Sequence, residues 1–310
     1  MGIVVIGAVF VDIKGFPNDT YIPDGRNAGR IEYIHGGVCR NVTEDIANVE
    51  LRPTFLSIVD DSAMGTDVLR KLKDHKVDTR YIQVIPGGMG TWLAVFDHNG
   101  DLAGSISQRA DMLPIMKVLE EHGDEIISQA DSIVIQADMH KSLIKKSFAL
   151  AEKYQKKIFA VVSNMSIAVE RRDFLKKVDC VVCNQLEAGM LFAEDYSEKE
   201  PEELMDILAE RIQFSQIPAM IVTMGSKGSV YADLQGTKGI CPANQVVVKD
   251  TTGAGDAFFA GVTIGLTYGK SLEEAAQIGT RLAASVITSS ENVCPRFMPR
   301  ELGLDMDPLD

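Results

Sequence analysis

Asp250-Thr-Thr-Gly-Ala-Gly-Asp256, followed without a break by Ala257-Phe-Phe-Ala-Gly-Val-Thr-Ile-Gly-Leu266, is the stretch from which a fold and a chemistry can be read together. Small residues let backbone N–H groups approach a ligand closely, and the apolar segment behind them reads as a helix whose N-terminus favours negative charge. The combination makes an anion hole. A carboxylate at this place would repel the anion it accompanies, so Asp256 implies a task performed on the reacting partner. Accepting a hydroxyl proton beside a phosphoryl cradle is such a task. Capping the helix is the other use of an Asp here, and the small run Gly253-Ala254-Gly255 in front of it weighs for chemistry.

Working outward, short β-branched runs alternate from about Asp60 onward with longer segments of helical period, the pattern of a parallel sheet covered on both faces. The spacing predicts strands over Ile3–Val9, Thr54–Ile58, Ser132–Gln136, Lys157–Val162, Cys180–Cys183, Ala219–Thr223 and Ser229–Ala232. Leu143, Ile144 and Phe148 repeat at helical spacing between them, as do Leu204, Ile207, Leu208 and Ile212. Residues 10–35 and 90–108 break the rhythm with short alternating strands. The second is a hairpin, Thr91–Phe96 turning through Asp97-His-Asn-Gly100 into Leu102–Ser107. The two stretches lack helices and read as one small sheet that covers a site, a lid on a single domain spanning 1–310.

Composition narrows the partners. The 310 residues carry 31 Lys+Arg against 44 Asp+Glu, a formal charge of −13, with no basic run, so a phosphate backbone is repelled and no nucleic acid is expected. The longest clean apolar run, Ile3 to Phe10, is about half of a membrane-spanning helix, and nothing around it resembles an export signal. Met1-Gly2 is followed by Ile6 where a myristoylation signal needs Ser or Thr. A cytoplasmic protein without a membrane partner is expected. Five cysteines, an odd number, suit free thiols, and the Cys180–Cys183 pair lies in a strand-like run where core packing is favoured over zinc.

Two other phosphate motifs fail on inspection. Gly265-Leu-Thr-Tyr-Gly269-Lys270-Ser271 is one residue short of a Walker loop and reads as a helix end followed by a new helix start at Ser271. Gly7-Ala-Val-Phe-Val-Asp12 lacks the second and third glycines of a dinucleotide fingerprint, which removes the main support for a nicotinamide oxidoreductase.

Three segments in order, Gly36-Gly37-Val-Cys-Arg-Asn41, Asn184-Gln-Leu-Glu187 and Asp250–Asp256 with its helix, are similar to those of the ribokinase-like (PfkB) carbohydrate kinases, and the resemblance runs from Ile3 to about Cys294. It implies a three-layer α/β sandwich with a mostly parallel sheet and a small β lid, phosphorylating a sugar or nucleoside hydroxyl with ATP. Carried over, Asp256 resembles the catalytic base, and the backbone of Gly253, Ala254 and Gly255 the anion hole for the transferred group. Asn184 and Glu187 resemble the pair that places the triphosphate and hydrated Mg²⁺, and Thr223-Met-Gly225-Ser-Lys-Gly228 the strand end and turn lining the ATP site. Asp250 and the Thr252 carbonyl sit where many members hold a monovalent cation such as K⁺. Asp12, Gly36, Gly37 and Asn41 resemble the sugar contacts.

Departures from the common pattern bear on the acceptor. Cys39 and Arg40 are bulkier than the usual residues before the Asn, Cys183 stands where a Pro usually precedes Asn184, and Val161-Val-Ser163 replaces an Asp-Pro. Asn27-Ala-Gly-Arg-Ile31 leading into Gly36–Asn41, with Ala110-Asp111-Met112 and Ala137-Asp138, is similar to the pseudouridine kinase branch. Arg40 and Asp111 are then candidates for reading a pyrimidine edge or the ribose, while a surface salt bridge is the plainer use of Arg40. Pseudouridine is the first expected acceptor. A ribokinase- or fructokinase-type sugar kinase and a non-catalytic sugar or nucleotide sensor are the alternatives. Open edges on the lid strands suggest a homodimer through the lid.

Overall fold

The computed structural model describes residues 2–162, 165–170 and 172–306; Ser163 lies outside them. Thirteen strands are found there: β1 Val4–Ile6, β2 Phe10–Pro17, β3 Gly29–Gly36, β4 Thr54–Val59, β5 Ile82–Val84, β6 Gly90–Phe96, β7 Leu102–Gln108, β8 Ser132–Gln136, β9 Lys157–Val161, β10 Cys180–Asn184, β11 Ala219–Thr223, β12 Ser229–Asp233 and β13 Lys238–Cys241. Nine of them form one sheet in the order β13-β12-β11-β10-β9-β8-β1-β4-β5. All pairings from β11 to β5 are parallel, and β12 and β13 add an antiparallel margin.

The compact apolar strands are buried on both sides. Val4 and Ile6 point into a core with Ile133, Ile135, Leu143 and Leu204, while Ile3 and Val5 point into another with Val42, Phe258 and Leu282. The same alternation settles the cysteine pair. Cys183 belongs to the first core and Cys180 to the second, so the two thiols face opposite sides of the sheet and share no metal; all five cysteines are free and buried.

The remaining four strands form a separate sheet in the order β3-β2-β6-β7, made of the two stretches that broke the helical rhythm. β2 leaves the carboxyl end of β1, so the small sheet stands over that end of the large one. The order also reverses at β1, whose chain continuations lie on either side of it. Open α/β sheets bind ligands in the crevice at such a reversal, outside the carboxyl ends of the strands. No helix among the described residues is long and apolar enough to cross a membrane.

Candidate active site

Two helices start at this crevice in the same way. Val38–Asn48 begins from Gly37 at φ 97°, and Ala254–Thr267 from Gly253 at φ 83°; neither has a side-chain cap. Both angles lie in the region that favours glycine. A side chain at Gly253 would also collide, since its Cβ would sit 2.0 Å from the Asn292 carbonyl oxygen. The second helix begins earlier than its apolar run suggests: Ala254 and Gly255 form its first turn, and Asp256 is its third residue and not its cap.

Where the two helix starts meet, the Asn41 Nδ2 group donates to Asp256 Oδ2 at 2.6 Å. Burial raises the Asp256 pKa to about 6; the Asn41 hydrogen bond and the nearby Arg40 charge oppose the rise, and Asp12 adds to it. The carboxyl group is therefore ionised at neutral pH yet basic enough to take a proton, the range that suits a general base. Asn292 secures the arrangement, its Nδ2 donating to the His35 carbonyl at 3.0 Å and to Asn41 Oδ1 at 3.4 Å. Asp12 is part of the same group. Its carboxylate lies so close over Gly36 that a Cβ there would be 2.3 Å from Oδ1, and burial raises its pKa.

The structure thus brings Asp12, Gly36, Gly37, Asn41 and Gly253–Asp256 together. Arg40 is a correction. Its side chain is 1% exposed, so it forms neither a surface salt bridge nor a face open to a ligand. The guanidinium pairs with Glu44, one turn on, and donates to the His35 and Gly36 carbonyls beneath the glycine turn. Asp111 is exposed and its carboxylate accepts from the Leu113 amide at 3.0 Å, so it shapes its own turn and joins no contact with the cluster. Cys39, the bulky departure, is fully buried with its Sγ against Gly7. His35, at the end of β3, has a side chain only 12% exposed, its Nε2 3.2 Å from Asp67.

On the other side of the Gly253 helix start lies a cavity of about 350 Å³. Thr223, Gly225, Gly228, Ala254 and Gly255 line it, which joins the strand end and glycine turn to the first turn of the Gly253 helix. Its remaining wall carries no motif in the sequence. Asn244, Val246 and Val248 arrive on an extended segment after β13, and Ala283, Ala284 and Ile287 come from the helix Leu272–Ile287. An apolar pocket opening onto the N-terminus of a helix suits a flat heterocycle with phosphates attached. A hint was present in Val246-Val-Val248, an apolar run that stays at least 39% exposed and joins no strand.

Asn184 ends β10 beside Thr223 of β11, with which it is in register. It caps the helix Gln185–Phe192 reciprocally with Glu187, the Glu187 amide donating to Asn184 Oδ1 and the Asn184 amide to Glu187 Oε2, each at 2.9 Å. Burial raises the Glu187 pKa. Asp250 Oδ1 accepts from the Thr252 amide at 2.8 Å, which fixes its carboxylate in the turn leading to Gly253. Among the described residues, no three His, Cys, Asp or Glu side chains cluster so as to hold a metal ion.

The family model for the pfkB family carbohydrate kinases matches residues 2–294. The chain belongs to that family. It is an ATP-dependent carbohydrate or nucleoside kinase. The kinase is 34% identical over 292 residues to the guanosine-inosine kinase of Exiguobacterium acetylicum, covering 94% of this chain and 95% of that one. It is 25% identical over 264 residues to the pseudouridine kinase of Escherichia coli (strain K12), covering 84% and 82%. Among solved structures, Arabidopsis thaliana ribokinase complexed with ribose and ATP superposes on the kinase with a TM-score of 0.84 at 19% identity, covering 98% of this chain and 99% of that one. That likeness bears on the fold alone.

Proposed function

We propose that the kinase transfers the γ-phosphoryl group of ATP to the 5′-hydroxyl of a ribonucleoside, with purine ribonucleosides as preferred acceptors. One observation carries the chemistry: the partly buried Asp256, hydrogen-bonded to Asn41 at 2.6 Å on the first turn of a helix that starts from an uncapped glycine. The choice of a purine follows from the 34% identity to a guanosine-inosine kinase over nearly the whole chain. Pseudouridine, first in the reading of the segment Gly36–Asn41, stands second, supported by the 25% identity to a pseudouridine kinase.

In this reading Asp12, Gly36, Gly37 and Asn41 hold the ribose so that its primary hydroxyl meets Asp256. Asp256 accepts the proton as the oxygen attacks phosphorus, and the amides of Gly253 and Gly255, joined by that of Ala254 once it leaves the Thr251 carbonyl to which it donates at 3.2 Å, steady the charge spread over the moving phosphoryl group. The cavity beside Gly255 takes the adenine, with Thr223, Gly225 and Gly228 along the phosphates. Asn184 and Glu187 would hold hydrated Mg²⁺. Oxygen donors, one carboxylate and the substrate's phosphates fit an ion that rarely uses an all-protein cage, and it supplies neutralisation of phosphate charge. Asp250 and the Thr252 carbonyl, both hard oxygen donors in one turn, would hold K⁺. The small sheet closes over the acceptor and excludes water, which would otherwise take the phosphoryl group.

Two copies pair through their small sheets. The face turned away from Asp12 carries Tyr33, Leu93 and Ile106 in one row across the strands, each at least 42% exposed, an uncharged surface that a copy of itself can cover. A monomer by light scattering at assay concentration removes this part of the reading.

A coupled ADP assay over guanosine, inosine, pseudouridine, uridine, ribose and fructose tests the acceptor. The highest kcat/KM on guanosine or inosine is the expected result. Pseudouridine ahead of both moves the acceptor to the second reading, and a free sugar ahead of every nucleoside overturns the proposal.

A further inference from the structure

The small sheet has two unlike faces, and register assigns residues to each. Asp12 of β2 is directly opposite Trp92 of β6, and Trp92 is directly opposite Ser107 of β7. Residues directly opposite on neighbouring strands share a face, so Asp12, Trp92 and Ser107 form one row on the side that looks toward Asp256. Trp92 is the only tryptophan in the chain. It is half-buried, and Ala94, two residues on along the same face, is fully buried and leaves the indole no bulky neighbour on that side of its own strand. Farther along this face the aromatics already work as platforms: the rings of Phe16 and Phe96 stack at 4.8 Å, and the Arg30 guanidinium lies 4.1 Å over Phe16.

We propose that Trp92 is the platform on which the base of the nucleoside stacks, and hence the residue that makes the kinase prefer nucleosides to free sugars. Asp12 sits where ribose hydroxyls bind in the reading above, on which this inference rests. Trp92 is one strand spacing away, about 4.8 Å, an offset of the order of that between a sugar and the base it carries. The acceptor's ring then lies flat on the indole with its edge toward Ser107, whose exposed hydroxyl offers both a donor and an acceptor. Stacking on an aromatic face tolerates any planar base, so Trp92 supplies affinity for nucleosides as a class, and the choice among bases falls to edge groups.

The single tryptophan supplies a readout independent of turnover. Guanosine titrated without ATP is expected to change Trp92 emission saturably, while ribose, which can close the sheet but has no base, leaves it unchanged; a free-tryptophan control corrects for absorption. In steady-state assays Trp92→Leu is expected to raise the guanosine KM about thirty-fold, about 2 kcal/mol, with kcat within about three-fold of wild type. Trp92→Phe, which restores a ring, returns the KM to within about five-fold. Turnover of ribose stays as in wild type in both variants. Emission that ignores saturating guanosine, or a guanosine KM in Trp92→Leu within about two-fold of wild type, overturns the inference. Equal losses for guanosine and ribose in Trp92→Leu overturn it as well, since they mark a structural role. Failure of the nucleoside reading is seen separately, as wild-type enzyme that phosphorylates no nucleoside. Failure of the platform alone is seen as wild-type enzyme that does so while the variants keep its KM.

Discussion

Two contrasting kinds of helix start stand near the crevice and away from it. Helices Gln185–Phe192 and Leu272–Ile287 begin from Asn184 and Ser271 with reciprocal capping boxes, in which Glu187 and Glu274 return the bond. Helices Val38–Asn48 and Ala254–Thr267 begin from Gly37 and Gly253, at positive φ and with no side-chain cap. A box satisfies first-turn amides from within the chain and strengthens the element. An uncapped glycine start keeps the approach to those amides clear of any side chain, at some loss of stability. The two glycine starts are the ones that meet at the Asn41–Asp256 hydrogen bond. In the proposed mechanism this is where the acceptor and the transferred phosphoryl group meet, and the largest expected effects of mutation lie there.

Asp256→Asn separates activity from stability most sharply. Removing a general base lowers kcat by about three orders of magnitude in the coupled ADP assay. Stability moves the other way. The carboxyl group is held at about 6 against an ordinary 3.8, so between those pH values the native protein keeps a proton that the unfolded chain has released. Its contribution is fully present below about pH 4 and is lost as pH rises to about 6. At pH 7 the ionised group costs on the order of 2 to 3 kcal/mol, which the neutral amide of the variant avoids while still accepting from Asn41. Denaturant titration should therefore find the inactive variant more stable at pH 7 and equal to wild type near pH 4. In the same terms, wild-type kcat/KM should fall about ten-fold per pH unit below about 6 as the base is protonated. A pH-independent rate down to 5, or a destabilised and active Asp256→Asn, breaks the assignment.

Arg40→Met addresses the support beneath the Gly37 start. The guanidinium holds the His35 and Gly36 carbonyls and pairs with the fully buried Glu44, which would be left with Lys71 at 3.2 Å. Removing the buried partner leaves the Glu44 charge compensated only by the partly exposed Lys71, so a loss of about 3 kcal/mol is expected by denaturation, with much of it recovered when Arg40→Met is combined with Glu44→Leu. The acceptor KM should rise as the turn loosens, whereas KM for ATP is unchanged. An equal rise in both would mean that Arg40 supports the whole domain and not this helix start.

The two ends of the helix Ala254–Thr267 allow the comparison within one element. Gly253→Ala meets the Asn292 carbonyl and an unfavourable φ, and should lose about 2 kcal/mol of stability and about two orders of magnitude in kcat. Gly269, just past the other end, has nearly the same φ, 81°, but open space around its Cα. Gly269→Ala should lose about 1 kcal/mol and keep full activity. Comparable kinetic losses at both ends would reduce the anion hole to a matter of helix stability.

What the sequence made legible follows the same physics. Strands buried on both faces must be apolar and β-branched, and β8 and β11 are read to the residue; β5 and β13 lie at the margins of the sheet, are only three and four residues long, and carry polar residues such as Gln83 and Lys238. Gly253–Gly255 and the pair Gly36-Gly37 were readable as close-approach turns because a backbone that comes near its neighbours demands small residues. Asn292, by contrast, is a lone amide in a loop whose partners lie 251 and 257 positions away, so no local pattern marks it. Arg40 misled for a related reason: its pairing with Glu44 one turn on looks the same in sequence whether the helix face is buried or exposed. The wall of the cavity beside Gly255 is assembled from an irregular segment and a distant helix, and only packing joins them.

The smallest effect is expected at a box remote from the cleft, and it is the control on which the comparison rests. Ser271 Oγ accepts from the Glu274 amide at 3.2 Å while Glu274 accepts from the Ser271 amide at 2.9 Å. Ser271→Ala removes one of these bonds and should cost about 1 kcal/mol, a melting shift of about 2 °C in a chain of this size. Both KM values and kcat should be unchanged, because the amides concerned serve only the helix. Asn184→Ala removes the equivalent bond and should cost the same in stability, but it sits at the carboxyl edge beside Thr223 and should also raise the KM for ATP several-fold. If the two variants behave alike in both measurements, Asn184 is a cap and nothing more. The triphosphate then has to be held by the glycine turn and the uncapped helix alone.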